Sequence, residues 1–89
     1  MTDSRWAIAY QTRAQRDLRR LDPPVGGRVV RAIERVATNP AAAPGLERLT
    51  GRPELRLRVG DWRVLIELDH SRRQITVRRI LPRGRAYDR

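Results

Sequence analysis

The fold is decided by the stretch ELRLRVGDWRVLIELD, residues 54–69. Over residues 54–59 leucine and arginine alternate, so the leucines share one face of a β-strand and the arginines share the other. Gly60-Asp61 then allows a tight turn, and residues 62–68 repeat the alternation. The stretch therefore predicts a β-hairpin with one apolar face and one face that carries arginines.

Before the hairpin, the sequence predicts one strand and two helices. Alternating apolar residues predict a strand over residues 5–11. Residues 12–15 have the Thr-x-x-Gln spacing of a capping box, and apolar residues at helical spacing continue a first helix to about Leu21. Asp22-Pro23-Pro24 separates this helix from a second one, which Asn39-Pro40 ends. An apolar stripe marks the core-facing side of the second helix, with arginines opposite it: the stripe is Val25, Val29, Ile33 and Val36, and the arginines are Arg28, Arg31 and Arg35.

After the second helix, the sequence predicts a loop over residues 41–53, with Leu46 and Leu49 as core anchors. The hairpin follows, and then a last strand over residues 74–81, in which Arg79-Ile80 breaks the alternation and predicts a β-bulge or a strand end. The order β-α-α-β-β-β predicts one α+β domain over residues 1–89. Two N-terminal helices should pack on one face of a mostly antiparallel four-stranded sheet and leave the other face open.

The open face of this sheet is expected to carry a group of arginines. By the pleat, Arg56, Arg58 and Arg63 point away from the helices, and Arg78 of the last strand joins them. Glu67 shares the face, and we expect it to pair with an arginine in a structural role. The alternative is a solvated polar face that carries surplus charge.

The overall charge favours a polyanionic partner. Twenty basic residues face ten acidic ones, the net charge is +10, and the pI is about 11.7. Every basic residue is arginine, whose planar guanidinium suits phosphate oxygens. A GC-rich coding sequence would also replace lysine by arginine, but it would not produce the net charge. A nucleic acid is the expected partner.

Several other classes of site are not supported by the sequence. There is no cysteine, so a disulfide framework or a thiolate metal site is excluded. No metal-ligand spacing or nucleotide-binding loop occurs, and neither a metal nor a cofactor is expected. His70, the single histidine, falls in a predicted turn and is expected to be an exposed bystander. Without a membrane span or a signal segment, the expected location is the cytoplasm.

The hairpin motif resembles that of a known family. LRVGDWRV, residues 57–64, is similar to the R-V-G-D-Y-R-V hairpin of the RelE/ParE toxin superfamily. The resemblance covers nearly the whole chain, through Asp17-Leu18, the Asn39-Pro40 helix stop, Leu49-Thr50-Gly51 and the terminal residues 83–87. Members are toxins of type II toxin–antitoxin systems. RelE-like members cut messenger RNA on the ribosome, and ParE-like members inhibit DNA gyrase.

The resemblance to the RelE-like branch implies an endoribonuclease in which a 2′-OH attacks the adjacent phosphodiester. It assigns the phosphate to Arg63 and Arg83, and base stacking or a proton transfer to Tyr87. The arginines expected to bind RNA are Arg56, Arg58, Arg78 and Arg85. Several RelE-like toxins have lysine where this chain has Arg56 and Arg58, and arginine is a poor proton shuttle, so the general base stays open.

The implied partners are a cognate antitoxin, the ribosome and messenger RNA, with operator DNA bound only by the toxin–antitoxin complex. Two other functions remain open at this point. A ParE-like gyrase inhibitor would poison an enzyme without cutting nucleic acid itself. A plain nucleic-acid-binding module would show salt-dependent affinity and no toxicity.

Overall fold

Five strands and two helices make up the part of the chain that the computed structural model describes, residues 5–48 and 51–84. In chain order the elements are β1 (Ala7–Tyr10), α1 (Thr12–Arg19), α2 (Pro23–Thr38), a 3₁₀ turn (Pro40–Ala42), β2 (Leu46–Arg48), β3 (Glu54–Val59), β4 (Trp62–Asp69) and β5 (Gln74–Pro82). Neither of the two described helices combines the length and the apolar character needed to cross a membrane.

The strands form a single sheet in the order β1-β5-β4-β3-β2. β1 runs parallel to β5, and the other neighbouring pairs are antiparallel. The predicted α+β class is confirmed, but the predicted count of four strands is wrong. The fifth strand is β2, which lies in the segment predicted as a loop and pairs with β3, with Leu46 opposite Leu57. Three residues are too few to show the alternation from which a strand is recognised.

The core lies between the two helices and one face of the sheet. Val29, Ile33 and Val36 of α2 recur at helical spacing and are fully buried, as the apolar stripe predicted. Ile66 of β4 and Val77 of β5 are buried with them in one cluster. Burying each such side chain stabilises the fold by about 1.5–3 kcal/mol. The apolar face of the hairpin therefore holds the helices.

The ends of α1 differ from the prediction. The N-cap position is Gln11, one residue before the predicted Thr12, and no side chain caps the helix. The Gln15 amide instead donates a hydrogen bond to the carbonyl of Tyr10, at 3.0 Å, so the capping box is not formed. The helix ends at Arg19, and the chain turns directly into α2.

β5 contains the predicted bulge. Val77 lies opposite Ile66 of β4, whereas Arg79 lies opposite Leu65, the next residue back along β4. Arg78 is therefore the extra residue, without a partner of its own in the ladder. A bulge of this kind inserts one residue and changes which face the following side chains occupy.

The extra residue reverses the alternation of the second half of β5. Strict alternation from Val77 would turn Ile80 away from the helices. Because of the bulge, Ile80 lies opposite Val64 and is only 2% exposed, within the core. Leu81 falls on the helix-free face, opposite Arg63. The bulge thus decides which side chains of the C-terminal half of β5 reach the helix-free face.

A buried carboxylate on α1 holds this bulge. Asp17 is 8% exposed, and its Oδ2 accepts hydrogen bonds from the Ile80 N–H at 2.9 Å and from Arg79 Nε at 2.8 Å. Burial by itself raises the pKa of Asp17. The hydrogen bonds from Arg79 and Ile80, with the charges of Arg79 and Arg20, outweigh that effect and lower the pKa below its usual value.

Replacing Asp17 with Asn should destabilise the fold in a pH-dependent way. The lowered pKa means that the carboxylate stabilises the folded state above its unfolded pKa of about 3.9, and that this stability is lost as pH falls through the folded pKa. At pH 7 we expect Asp17→Asn to lower the free energy of unfolding by about 1.5–3 kcal/mol. The difference from the parent protein should shrink at about pH 3, measured by urea unfolding.

The matched control is Asp22→Asn. Asp22 is exposed and occupies the N-cap position of α2 without a side-chain capping hydrogen bond. We expect that change to shift stability by no more than about 0.5 kcal/mol. Equal effects of the two substitutions at pH 7 would contradict the assigned role of Asp17.

Candidate functional site

Three arginines come together at the Gly60-Asp61 end of the helix-free face. Arg58 lies directly opposite Arg63 across the ladder of β3 and β4. Arg83 follows β5, and its N–H donates a hydrogen bond to the Asp61 carbonyl at 2.9 Å. The backbone of Arg83 therefore lies beside the Gly60-Asp61 turn, and its side chain is exposed. Like charges directly opposite each other destabilise a sheet, so this arginine cluster suits an anionic ligand.

Arg63 is buried within this cluster, which corrects the expectation that its side chain reaches solvent. It is 4% exposed, and its Nη1 donates hydrogen bonds to the carbonyls of Gly60 at 3.0 Å and Trp62 at 2.9 Å. Its Nε is buried without a hydrogen-bond partner among the described residues. Leu65 and Leu81, on the same face, are also buried. The central strand β4 is therefore covered on both faces near the turn.

Arg56 and Arg58 share the carboxylate of Glu47, which lies on the unpredicted strand β2. Arg56 donates hydrogen bonds to Glu47 Oε1 from Nη2 at 3.0 Å and from Nε at 3.2 Å, and its side chain is 13% exposed. Arg58 Nη1 lies 3.7 Å from Glu47 Oε2, and its side chain is 55% exposed. Arg56 is thus held within the sheet face, and Arg58 keeps access to solvent. No sequence signal identified Glu47, because β2 was predicted as a loop.

Arg78 is paired with two further glutamates. Its Nη1 lies 2.6 Å from Glu67 Oε2, and its Nε lies 3.5 Å from Glu54 Oε2. The predicted structural role of Glu67 as the partner of an arginine is confirmed. Carboxylates alternate with guanidinium groups along this part of the face, so the face is less positive than the arginines alone predicted.

Two of the predicted site residues, Arg85 and Tyr87, lie outside the residues that the structure describes. His70 is exposed, as predicted, and makes an edge-to-face contact with Trp6 at 5.1 Å between ring centroids. It follows the far end of β4, nine residues and about 30 Å from Asp61 at about 3.3 Å per residue. The imidazole therefore lies far from the arginine cluster. Within residues 5–48 and 51–84, no group of His, Asp or Glu side chains is arranged to hold a metal ion.

A cavity of about 390 Å³ lies near His70, away from the arginine cluster. Trp6, Leu46, Leu55 and Leu68 contribute to its lining. These side chains belong to the apolar side of the sheet or flank it. None of the residues predicted to act in the site lines this cavity.

The family of the chain follows from a comparison with known families. The model of a family described as the ParE toxin of type II toxin–antitoxin system, parDE, matches residues 8–87. The chain belongs to the ParE toxin family. The resemblance to the RelE/ParE toxin superfamily that the hairpin suggested is confirmed, and the protein is a toxin of the type II toxin–antitoxin class.

Solved structures of RelE toxins share this fold. A chain of the RelBE2 toxin–antitoxin complex from Mycobacterium tuberculosis is 23% identical, with a TM-score of 0.74, over 89% of this chain and 99% of that one. A chain of the RelE–RelB complex from Pyrococcus horikoshii is 20% identical, with a TM-score of 0.78, over 90% and 97%. The isolated RelE toxin from E. coli is 18% identical, with a TM-score of 0.71, over 93% and 92%. No curated protein matches the sequence.

The buried position of Arg63 predicts that its removal destabilises this toxin. Arg63→Ala should lower the free energy of unfolding by about 1–3 kcal/mol, because two backbone carbonyls lose their donor and a cavity opens beside Leu81. Arg58→Ala is the control, since it removes the same charge from the opposite position of the ladder at an exposed site. It should change stability by about 0.5 kcal/mol or less. Chemical denaturation at neutral pH measures both, and equal effects would contradict the buried role of Arg63.

Proposed function

We propose that this toxin is a ribosome-dependent endoribonuclease that cuts messenger RNA. The observation that supports this most directly is the grouping of Arg58, Arg63 and Arg83 at one end of the helix-free face. Two of these side chains are exposed and one is fixed by the turn carbonyls. Such a group is preorganised to receive a phosphate, and preorganised cations stabilise charge that develops in a transition state.

The proposed chemistry uses RNA's own nucleophile. The 2′-oxygen forms a bond to the adjacent phosphorus, the bond to the 5′-oxygen breaks, and one proton leaves the 2′-OH while another reaches the leaving oxygen. Arg58 and Arg83 contact the phosphate oxygens from solvent, and the buried guanidinium of Arg63 adds positive charge behind them. The protein accelerates the reaction by aligning the 2′-oxygen with the phosphorus and by neutralising the negative charge of the phosphate.

The remaining site residues have smaller or complementary roles in this proposal. Tyr87 stacks on a base or transfers a proton, and Arg85 extends the contact with the RNA backbone. Arg56 and Arg78 each hold a glutamate, so they shape the path of the RNA and add little net charge to it. Guanidinium groups do not readily give up a proton, which leaves Tyr87 or a substrate-bound group for that task.

We further propose that the toxin acts in the cytoplasm on translating ribosomes and is neutralised by a cognate antitoxin. RelE-like structures of this fold come from complexes with antitoxins, which supports the expectation. An acidic amphipathic helix is the type of segment that would cover a basic domain. Operator DNA would be bound only by the toxin–antitoxin complex.

A second candidate function is inhibition of DNA gyrase. The matching family model is described as the ParE toxin. Inhibition of gyrase is the activity that the resemblance to ParE-like members implies. The pairing of Arg56 and Arg78 with glutamates also leaves less free charge for RNA than the sequence predicted. In this case the toxin would bind a protein target and cut nothing itself.

Replacing Arg83 with Ala tests the nuclease directly. Removing one group that stabilises transition-state charge typically slows a reaction by about 10²–10³-fold, so cleavage should fall by about a hundredfold or more. Arg83 is exposed, and the change should leave stability within about 0.5 kcal/mol of the parent protein. Primer extension on messenger RNA from cells expressing each variant measures the cuts.

The matched control is Arg72→Ala, which removes an exposed arginine from the turn at the far end of β4. It should cut messages like the parent protein. The parent protein and both variants are also tested in a DNA supercoiling assay with purified gyrase. Intact messages together with blocked supercoiling would overturn the nuclease proposal and favour gyrase inhibition.

A further inference from the structure

The helices carry arginines of a different kind from those on the sheet. On the sheet face, Arg56 and Arg78 lie in ion pairs with glutamates. The arginines of the helices are exposed, and none forms an ion pair within residues 5–48 and 51–84. The least neutralised positive surface of the described chain is therefore on the helices, whereas the sequence predicted nucleic-acid binding on the sheet face.

Apart from Arg19, these arginines form one stripe along each helix. On α1 the stripe is Arg13, Arg16 and Arg20, the last at the C-cap position. On α2 it is Arg28, Arg31 and Arg35. Both sets follow the spacing i, i+3, i+7, which keeps side chains on one side of a helix. At 1.5 Å per residue, each stripe distributes three guanidinium groups over about 10 Å.

Each stripe points away from the core. On α2, the buried residues Val29, Ile33 and Val36 occupy the opposite side of the helix. On α1 the three arginines are exposed, and the buried Asp17, four residues after Arg13 and three before Arg20, lies at the inner edge of their stripe. Because both helices pack on the same face of the sheet, both stripes lie on the outer surface of the helical layer, across the molecule from the arginine cluster at the Gly60-Asp61 turn.

The composition of this outer surface indicates which polyanion fits it. Apart from Pro23 and Pro24, every fully exposed residue of α1 and α2 is polar or charged. Protein partners are usually held by arginine together with aromatic anchors such as Trp and Tyr, and single-stranded nucleic acids by aromatic side chains on which bases stack. Aromatic anchors are thus common to both. No such anchor is exposed on these two helices. Rows of arginine without such anchors suit the regularly spaced phosphates of a duplex.

We propose that the two arginine stripes bind the phosphate backbone of a double-stranded nucleic acid, without regard to base sequence. Duplex RNA and duplex DNA share this chemistry. The site is distinct from the arginine cluster and does not depend on the proposed nuclease activity. It would give the toxin a second electrostatic contact with a nucleic-acid assembly, on the side opposite its candidate active site.

The test removes one stripe and measures duplex binding by fluorescence anisotropy over a range of salt concentrations. The variant is Arg28→Gln, Arg31→Gln and Arg35→Gln, and glutamine preserves helix propensity. The probes are a labelled RNA duplex of about 16 base pairs and the DNA duplex of the same sequence. Each lost phosphate contact reduces the slope of log affinity against log salt by about 0.9, so three should reduce it by about 2–3.

The charge-matched control replaces three exposed arginines elsewhere, Arg48→Gln, Arg52→Gln and Arg72→Gln. It should reduce the slope by less than about 1, because it changes net charge without removing the stripe. The equivalent variant of α1, in Arg13, Arg16 and Arg20, provides an independent repeat if the α2 variant is poorly folded by circular dichroism. Triple replacement by lysine on α2 should keep the slope of the parent protein.

Comparing the affinities of the parent protein for the two duplexes then shows whether the stripes prefer RNA or DNA. Equal losses in the stripe and control variants would overturn the proposal, as would a parent protein that binds neither duplex. A stripe variant that binds both duplexes normally but loses an acidic protein segment would overturn it in favour of a protein partner. Because messenger RNA cleavage is not read out, a failure of the nuclease proposal leaves this result unaffected.

Discussion

The bond between the Asp17 carboxylate and the bulge of β5 is the interaction on which the candidate site depends. Asp17 joins the first helix to a strand more than sixty positions later in the chain. Its carboxylate accepts hydrogen bonds from the Ile80 N–H and from the guanidinium of Arg79. Asp17 provides a hydrogen-bond acceptor for a backbone N–H at the point where the bulge interrupts the ladder. Without that acceptor the buried N–H would be unpaired, which would cost free energy. A bulge with a fixed partner of this kind has a single register.

That register determines the functional surface. With one extra residue before it, Ile80 enters the core, Leu81 lies opposite Arg63, and the chain continues to Arg83 beside the Gly60-Asp61 turn. Without the bulge, the alternation would turn Ile80 away from the helices and Leu81 toward them. The same strand therefore supplies an apolar residue to the core and a cation to the site. The bulge in β5 is therefore required both for the packing of the core and for the arrangement of the site.

The sequence predicted what depends on local patterns. The alternation of apolar and polar residues predicted the hairpin and the bulge, and the spacing of apolar residues predicted α2. What it missed depends on contacts between distant segments. Glu47 could not be assigned because its three-residue strand is recognised only by its pairing with β3. Arg63 alternates like an exposed residue, yet its central strand is covered on both faces near the turn. The sequence placed Arg28, Arg31 and Arg35 opposite the apolar stripe of α2, but only the structure shows that the arginines paired with glutamates are those of the sheet.

The claim that Asp17 holds the bulge is tested most directly by a double-mutant cycle. Asp17→Ala, Arg79→Ala and the double variant are compared with the parent protein by equilibrium unfolding. A buried, hydrogen-bonded ion pair should give a favourable coupling free energy of about 1–3 kcal/mol. A coupling within about 0.3 kcal/mol of zero would show that the two side chains act independently, and would contradict the account.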